Sequence, residues 1–102
     1  MIIIYVCYGY KSKFDEEKAK KVLEKHGVVM EDVRQEILAE RFKPELVRNQ
    51  RDHEGQRMFL VVIKGYVICV PYVEEKDGTF FLKTAFPNRV YQRRYENGEL
   101  RI

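Results

Sequence analysis

A chain of 102 residues, 45% apolar and 13% aromatic, is long enough for one hydrophobic core, too short for two, and too apolar to be disordered. Its 19 Lys and Arg exceed its 16 Asp and Glu by three, and the surplus is local: from Lys83 onward five basic residues face two acidic ones, which leaves the preceding 82 residues neutral. The longest apolar runs, Met1 to Tyr8 and Met58 to Ile63, are of strand length and the first lacks the marks of a signal peptide, so a cytoplasmic protein with no membrane partner is expected.

Residues Ile2 to Tyr8, β-branched and aromatic with little alternation, predict a buried strand, and Gly9 to Lys13 a turn. Phe14 to Gly27 predicts a helix. Ser12 or Asp15 can cap it, Glu16 and Glu17 suit its first turn, and Gly27 follows its last. Ala19, Val22, Leu23 and His26 fall at inward spacing, while the remainder, almost all Lys and Glu, reads as a solvated face. His26 has two readings, an acid or base, or a structural group that complements the helix dipole. A second helix is predicted from Met30 to Phe42, with Val33, Ile37 and Phe42 inward and Pro44 setting its end. The short connection makes the two an αα-hairpin.

Glu45 to Asp52 is weakly strand-like, and His53 to Gln56 is a polar turn. Arg57 to Ile63 and Tyr66 to Val73 flank Lys64-Gly65, a two-residue link that closes a β-hairpin. A charged loop from Glu74 to Gly78 leads to a third strand, Thr79 to Phe86. Pro71 would lie in the middle strand, which normally excludes a residue without an N–H. In the register set by Lys64-Gly65 it faces Met58 in a non-hydrogen-bonded pair and turns its nitrogen toward the third strand. A bulge or a break in pairing is predicted there. After Pro87, Asn88 can cap a short C-terminal helix, Arg89 to Glu96, which Asn97-Gly98 ends. The pattern is that of a single α+β domain over residues 1–102, two N-terminal helices on a mainly antiparallel sheet.

Two stretches resemble a known family. Phe14-Asp15-Glu16-Glu17-Lys18-Ala19 through Leu23-Glu24-Lys25-His26-Gly27-Val28 is similar to the opening of BrnT-like toxins of prokaryotic type II toxin–antitoxin systems. Gly55-Gln56-Arg57, Gly65-Tyr66-Val67, Val70-Pro71-Tyr72-Val73-Glu74, Phe81-Leu82-Lys83-Thr84 and Pro87-Asn88-Arg89 resemble a branch of related toxins. Three features depart from that pattern: Met1 to Lys13 precede the usual start, Lys13 replaces an aromatic, and Asn88 stands where Ser is commoner. The resemblance implies a RelE-like fold, a cognate antitoxin as partner, and a ribonuclease that arrests translation by cutting mRNA, on or off the ribosome.

Metal-free RNA cleavage needs a base for the 2′-hydroxyl, cations for the charge building on phosphorus, and an acid for the leaving oxygen. Lys83, Arg89 and Arg94 are the candidate catalytic cations and Tyr95 a proton donor; Arg93, Tyr91 and His53 are candidate RNA contacts, Tyr91 by stacking and His53 also as a conventional base. The same helix also reads as a solvated basic face with its tyrosines packed on the sheet, and His53 as a surface turn residue. Cys7 and Cys69 sit in apolar runs without His or Cys at ligand spacing and read as buried thiols. No metal or cofactor is expected. The rival to the ribonuclease is an inactive relative that binds nucleic acid or protein, and a third reading is a homodimer through the free edge of the Met1 to Tyr8 strand.

Overall fold

In the computed structural model, which describes residues 12–46 and 56–102, a six-stranded mixed sheet is built outward from one hairpin. The predicted Met1 to Tyr8 strand with its free edge, Cys7 and His53 lie outside the described residues. Strands β3 (Arg57–Ile63) and β4 (Tyr66–Glu74) pair antiparallel, with Ile63 opposite Tyr66 and Met58 opposite Pro71, as predicted. Lys64 and Gly65 both take positive φ, 52° and 80°. That backbone lets a two-residue turn follow the right-handed twist of its strands.

Strand β2 (Lys43–Leu46) pairs antiparallel with the outer side of β3. On the other side of β4 the predicted third strand is split into β5 (Phe80–Leu82) and β6 (Phe86–Pro87). Strand β5 pairs with Tyr72 to Glu74 and β6 with Ile68 and Cys69, so the ladder is interrupted at Val70 and Pro71. The cause is chemical: Pro71 has a carbonyl, which accepts from the Lys83 N–H at 2.9 Å, but no donor with which to continue the ladder. Residues 83–85 therefore leave the sheet. Strand β1 (Ser12–Phe14) pairs parallel with β5, on its other side from β4, and is the outermost strand there among the described residues.

Helix α1 spans Glu16–His26 and helix α2 Met30–Leu38. Asp15 is the cap of α1, its carboxylate accepting from the amides of Glu17 and Lys18 at 2.8 and 3.3 Å, and Gly27 ends the helix at φ 69°. Three expectations are corrected. Ser12 and Lys13, read as turn, and Phe14, read as helix, form β1, because β5 offers a strand partner that the local sequence cannot reveal. Helix α2 stops before Phe42, not at Pro44: Glu40 turns the chain at φ 60°, and the Arg41 guanidinium folds back on Glu36 at 2.7 Å. Pro44 lies in β2, the outermost strand on that side among the described residues, where a missing N–H is tolerated. Leu23, expected inward, is 50% exposed.

Side chains alternate along the hairpin and divide the core between the two faces of the sheet. Phe59, Val61, Ile68 and Val70 pack with Val22 of α1 and with Val33 and Ile37 of α2, both fully buried. Each of those aliphatic side chains contributes about 1.5–3 kcal/mol by leaving water. Phe59 stacks on Tyr72 at 4.0 Å, and Phe80 stands edge-on to both at 5.2 Å. Met58, Leu60, Val67 and Cys69 point the other way, under helix α3 (Arg89–Glu96) and Leu100.

Candidate functional site

The C-terminal helix forms where the sequence places it. The Asn88 side chain accepts from the Tyr91 N–H at 3.0 Å, and Asn97 and Gly98 end the last turn. Two residues fix its inner face. Tyr91 is only 4% exposed and packs with Met58, Leu60, Val67 and Cys69. Gln92, also buried, accepts from the Val67 N–H at 2.7 Å and donates to the Gly65 carbonyl at 3.2 Å and to Glu96 at 3.1 Å. Its amide thus continues the hydrogen bonding of β4 beyond the end of β6, and ties the helix to the hairpin turn.

The outer face carries the charge. At 100° per residue, Arg89, Arg93, Val90 and Arg94 succeed one another across about 140° of the helix. All four are exposed. The Arg94 guanidinium lies 5.8 Å from the Tyr91 ring centroid. Three other cations do have a carboxylate: Lys13 pairs with Glu75 at 2.9 Å, Arg34 with Glu31 at 2.9 Å, and Arg41 with Glu36 at 2.7 Å. The hydrogen bonds from Arg34 and from Arg41 hold the carboxyls of Glu31 and Glu36 below the usual carboxylate range. Among the described residues no carboxylate pairs with Arg89, Arg93 or Arg94.

A second basic surface lies on the side of α1. A groove of about 460 Å³ is lined by Lys18, Lys21, Val22, Lys25 and His26 of α1 and by Lys83 and Thr84 of the segment that Pro71 releases from the sheet. Among the described residues its lining contains no carboxylate. Lys18 also lies over the Phe81 ring, 6.0 Å from its centroid.

The expected site residues are therefore distributed. Arg89, Arg93 and Arg94 share the outer face of α3, and half-buried Tyr95 sits at the edge of the second core cluster. Lys83 is half-buried in the groove, whose lining includes none of the three arginines. Tyr91 is a core residue, so its ring is not presented for stacking on a base. His53 lies outside the described residues. Sequence reasoning missed Gln92 and the row Lys18, Lys21 and Lys25 with His26. The signal for that row was present: on a helical wheel these residues and Val22 fall within about 140°, and Glu16, Glu17 and Glu24 fall outside it.

Among the described residues no group of three or more His, Cys, Asp or Glu is arranged to hold a metal ion. No helix there is long and apolar enough to cross a membrane. Comparison with known proteins finds no matching family model and no similar curated protein.

Proposed function

We propose that this chain is the toxin of a type II toxin–antitoxin pair, with a RelE-like arrangement of helices and sheet, that acts in the cytoplasm as a metal-independent endoribonuclease on mRNA. The observation that carries the reading is the outer face of α3, where Arg89, Arg93 and Arg94 stand exposed without a carboxylate partner among the described residues, on a helix that Tyr91 and Gln92 fasten to the sheet. Arginine forks on a fixed support suit the phosphate of a bound strand and the charge that grows on it during attack by the 2′-hydroxyl. Tyr95 is the proton donor within the same helix, and Lys83 adds charge from the groove on the other side of the sheet, to a strand long enough to engage both surfaces. The antitoxin is a protein whose acidic surface covers the arginines.

A nucleic-acid-binding module without cleavage is the second reading. It is favoured by the shortage of proton-transfer groups beside the arginines, since Tyr95 is half-buried and His26 lies in the groove on the side of α1.

The test is cleavage of a defined single-stranded RNA by the purified protein in EDTA, beside the Lys83→Ala/Arg89→Ala/Arg94→Ala variant, with growth arrest on expression measured in parallel. The expected result is cleavage that survives EDTA and falls at least 100-fold in the variant, as for loss of charge stabilisation at a developing oxyanion. Growth arrest that persists in a folded triple variant overturns the catalytic assignment. Tight RNA binding with no cleavage by the wild type selects the binding module.

A further inference from the structure

We infer that the groove between α1 and residues 83–85 is a binding site for the phosphate backbone of single-stranded RNA. The inference rests on the preceding reading only in taking RNA as the ligand. Lys18, Lys21 and Lys25 run along one side of α1, and at 1.5 Å rise per residue the row extends about 10 Å along the helix axis. That is longer than one phosphate and suits a chain with a charge at every repeat. Lys83 closes the groove from the opposite wall, and Val22, 5% exposed, lies among the lysine stems.

His26 and Thr84 add hydrogen-bonding groups at the same place, able to meet a phosphate oxygen or a 2′-hydroxyl. Lys13, Arg34 and Arg41 each pair with a carboxylate. Here Lys18, Lys21, Lys25 and Lys83 have none among the described residues, so their charge is left for an external anion. Point charges recurring along about 10 Å of helix, with no fork to fix a single carboxylate, suit the regularly spaced charges of a nucleic-acid backbone, which lysine and arginine neutralise alike.

The groove has a structural origin. Pro71 interrupts the ladder, the interruption frees residues 83–85, and Lys83 and Thr84 then stand against α1 instead of continuing a strand.

The experiment is fluorescence anisotropy of a labelled oligouridylate with the full chain over a range of salt concentrations. The comparison variants are Lys18→Ala/Lys21→Ala/Lys25→Ala and, separately, Arg89→Ala/Arg93→Ala/Arg94→Ala. The lysines are exposed helix positions at which alanine is a better helix former, so the first variant should keep its fold, checked by circular dichroism. It is expected to bind at least tenfold more weakly, with the slope of log Kd against log salt reduced by about 2, at about 0.7 for each phosphate that the variant no longer neutralises. An unchanged Kd and slope in the folded lysine variant overturns the inference. Tighter binding of poly-glutamate than of RNA, abolished in the lysine variant, overturns it in favour of an acidic-protein site. Loss of binding in the arginine variant alone overturns this inference and leaves the proposed function standing. Loss in the lysine variant, with no cleavage by the wild type, supports the groove and counts against the proposed catalysis.

Discussion

Gln92 shows how a single polar side chain can hold a functional surface in place. Its Oε1 is the partner of the Val67 N–H, a backbone donor that β6 is too short to reach. Gln92→Ala is expected to cost about 1–3 kcal/mol by leaving that donor buried and unpaired. In a urea titration the midpoint should fall with the slope unchanged, and an unchanged midpoint would mean that water replaces the amide without loss. Cys69 makes the corresponding case for a buried ionisable group. Burial pushes its thiol up from 9.0 to about 12, which means that the folded protein disfavours the thiolate. Between pH 9 and 12 the unfolded chain releases this proton and the folded chain keeps it, so folding stability should fall as pH rises through that range. Cys69→Ala should flatten the high-pH limb in urea titrations at successive pH values; a limb equally steep in the variant would assign the loss to other groups, among them Tyr72, whose hydroxyl is also shifted upward by burial.

At the scale of elements, legibility followed the range of the interaction. The β3–β4 hairpin with its register, the interruption at Pro71 and both ends of α3 were readable, because each is set by residues within a turn of one another: Lys64-Gly65, a proline lacking its donor, Asn88 and Asn97-Gly98. Strand β1 was not readable, because its partner, β5, lies at the far end of the chain. The early end of α2 was obscured because Glu40 is an unusual residue for positive φ, and Pro44 offered a more obvious stop. Of the candidate site, the arginine face of α3 followed from helical spacing, whereas the gathering of Lys83 with Lys18, Lys21 and Lys25 depended on where the broken strand meets α1. The turn invites a direct test. Lys64 holds φ 52° despite its side chain, and asparagine is the favoured residue at that position of a two-residue hairpin. Lys64→Asn should therefore relieve part of the left-handed cost of about 1–2 kcal/mol and raise the stability. A lower thermal midpoint would show that the Lys64 side chain contributes more than its backbone strain costs.

For the molecule as a whole, the sheet acts as a partition. The lysine groove lies on the side of α1, and the arginine face belongs to the helix packed on the other side. A short oligonucleotide that occupies the groove does not reach around to α3, so the two surfaces should act as independent sites with two short strands bound per protein. A strand long enough to pass around the edge of a molecule measuring 39 × 29 × 27 Å can engage both. The second binding event is then intramolecular, and affinity should rise beyond that of either surface with no new interaction formed. Oligouridylates of increasing length, followed by native mass spectrometry and calorimetry, are expected to switch from two bound strands to one, with Kd falling steeply at the switch. The Lys18→Ala/Lys21→Ala/Lys25→Ala variant should bind one short strand and lose the steep step. One short strand bound by the wild type at every concentration would instead make the two surfaces a single site, and the partition would have no functional meaning.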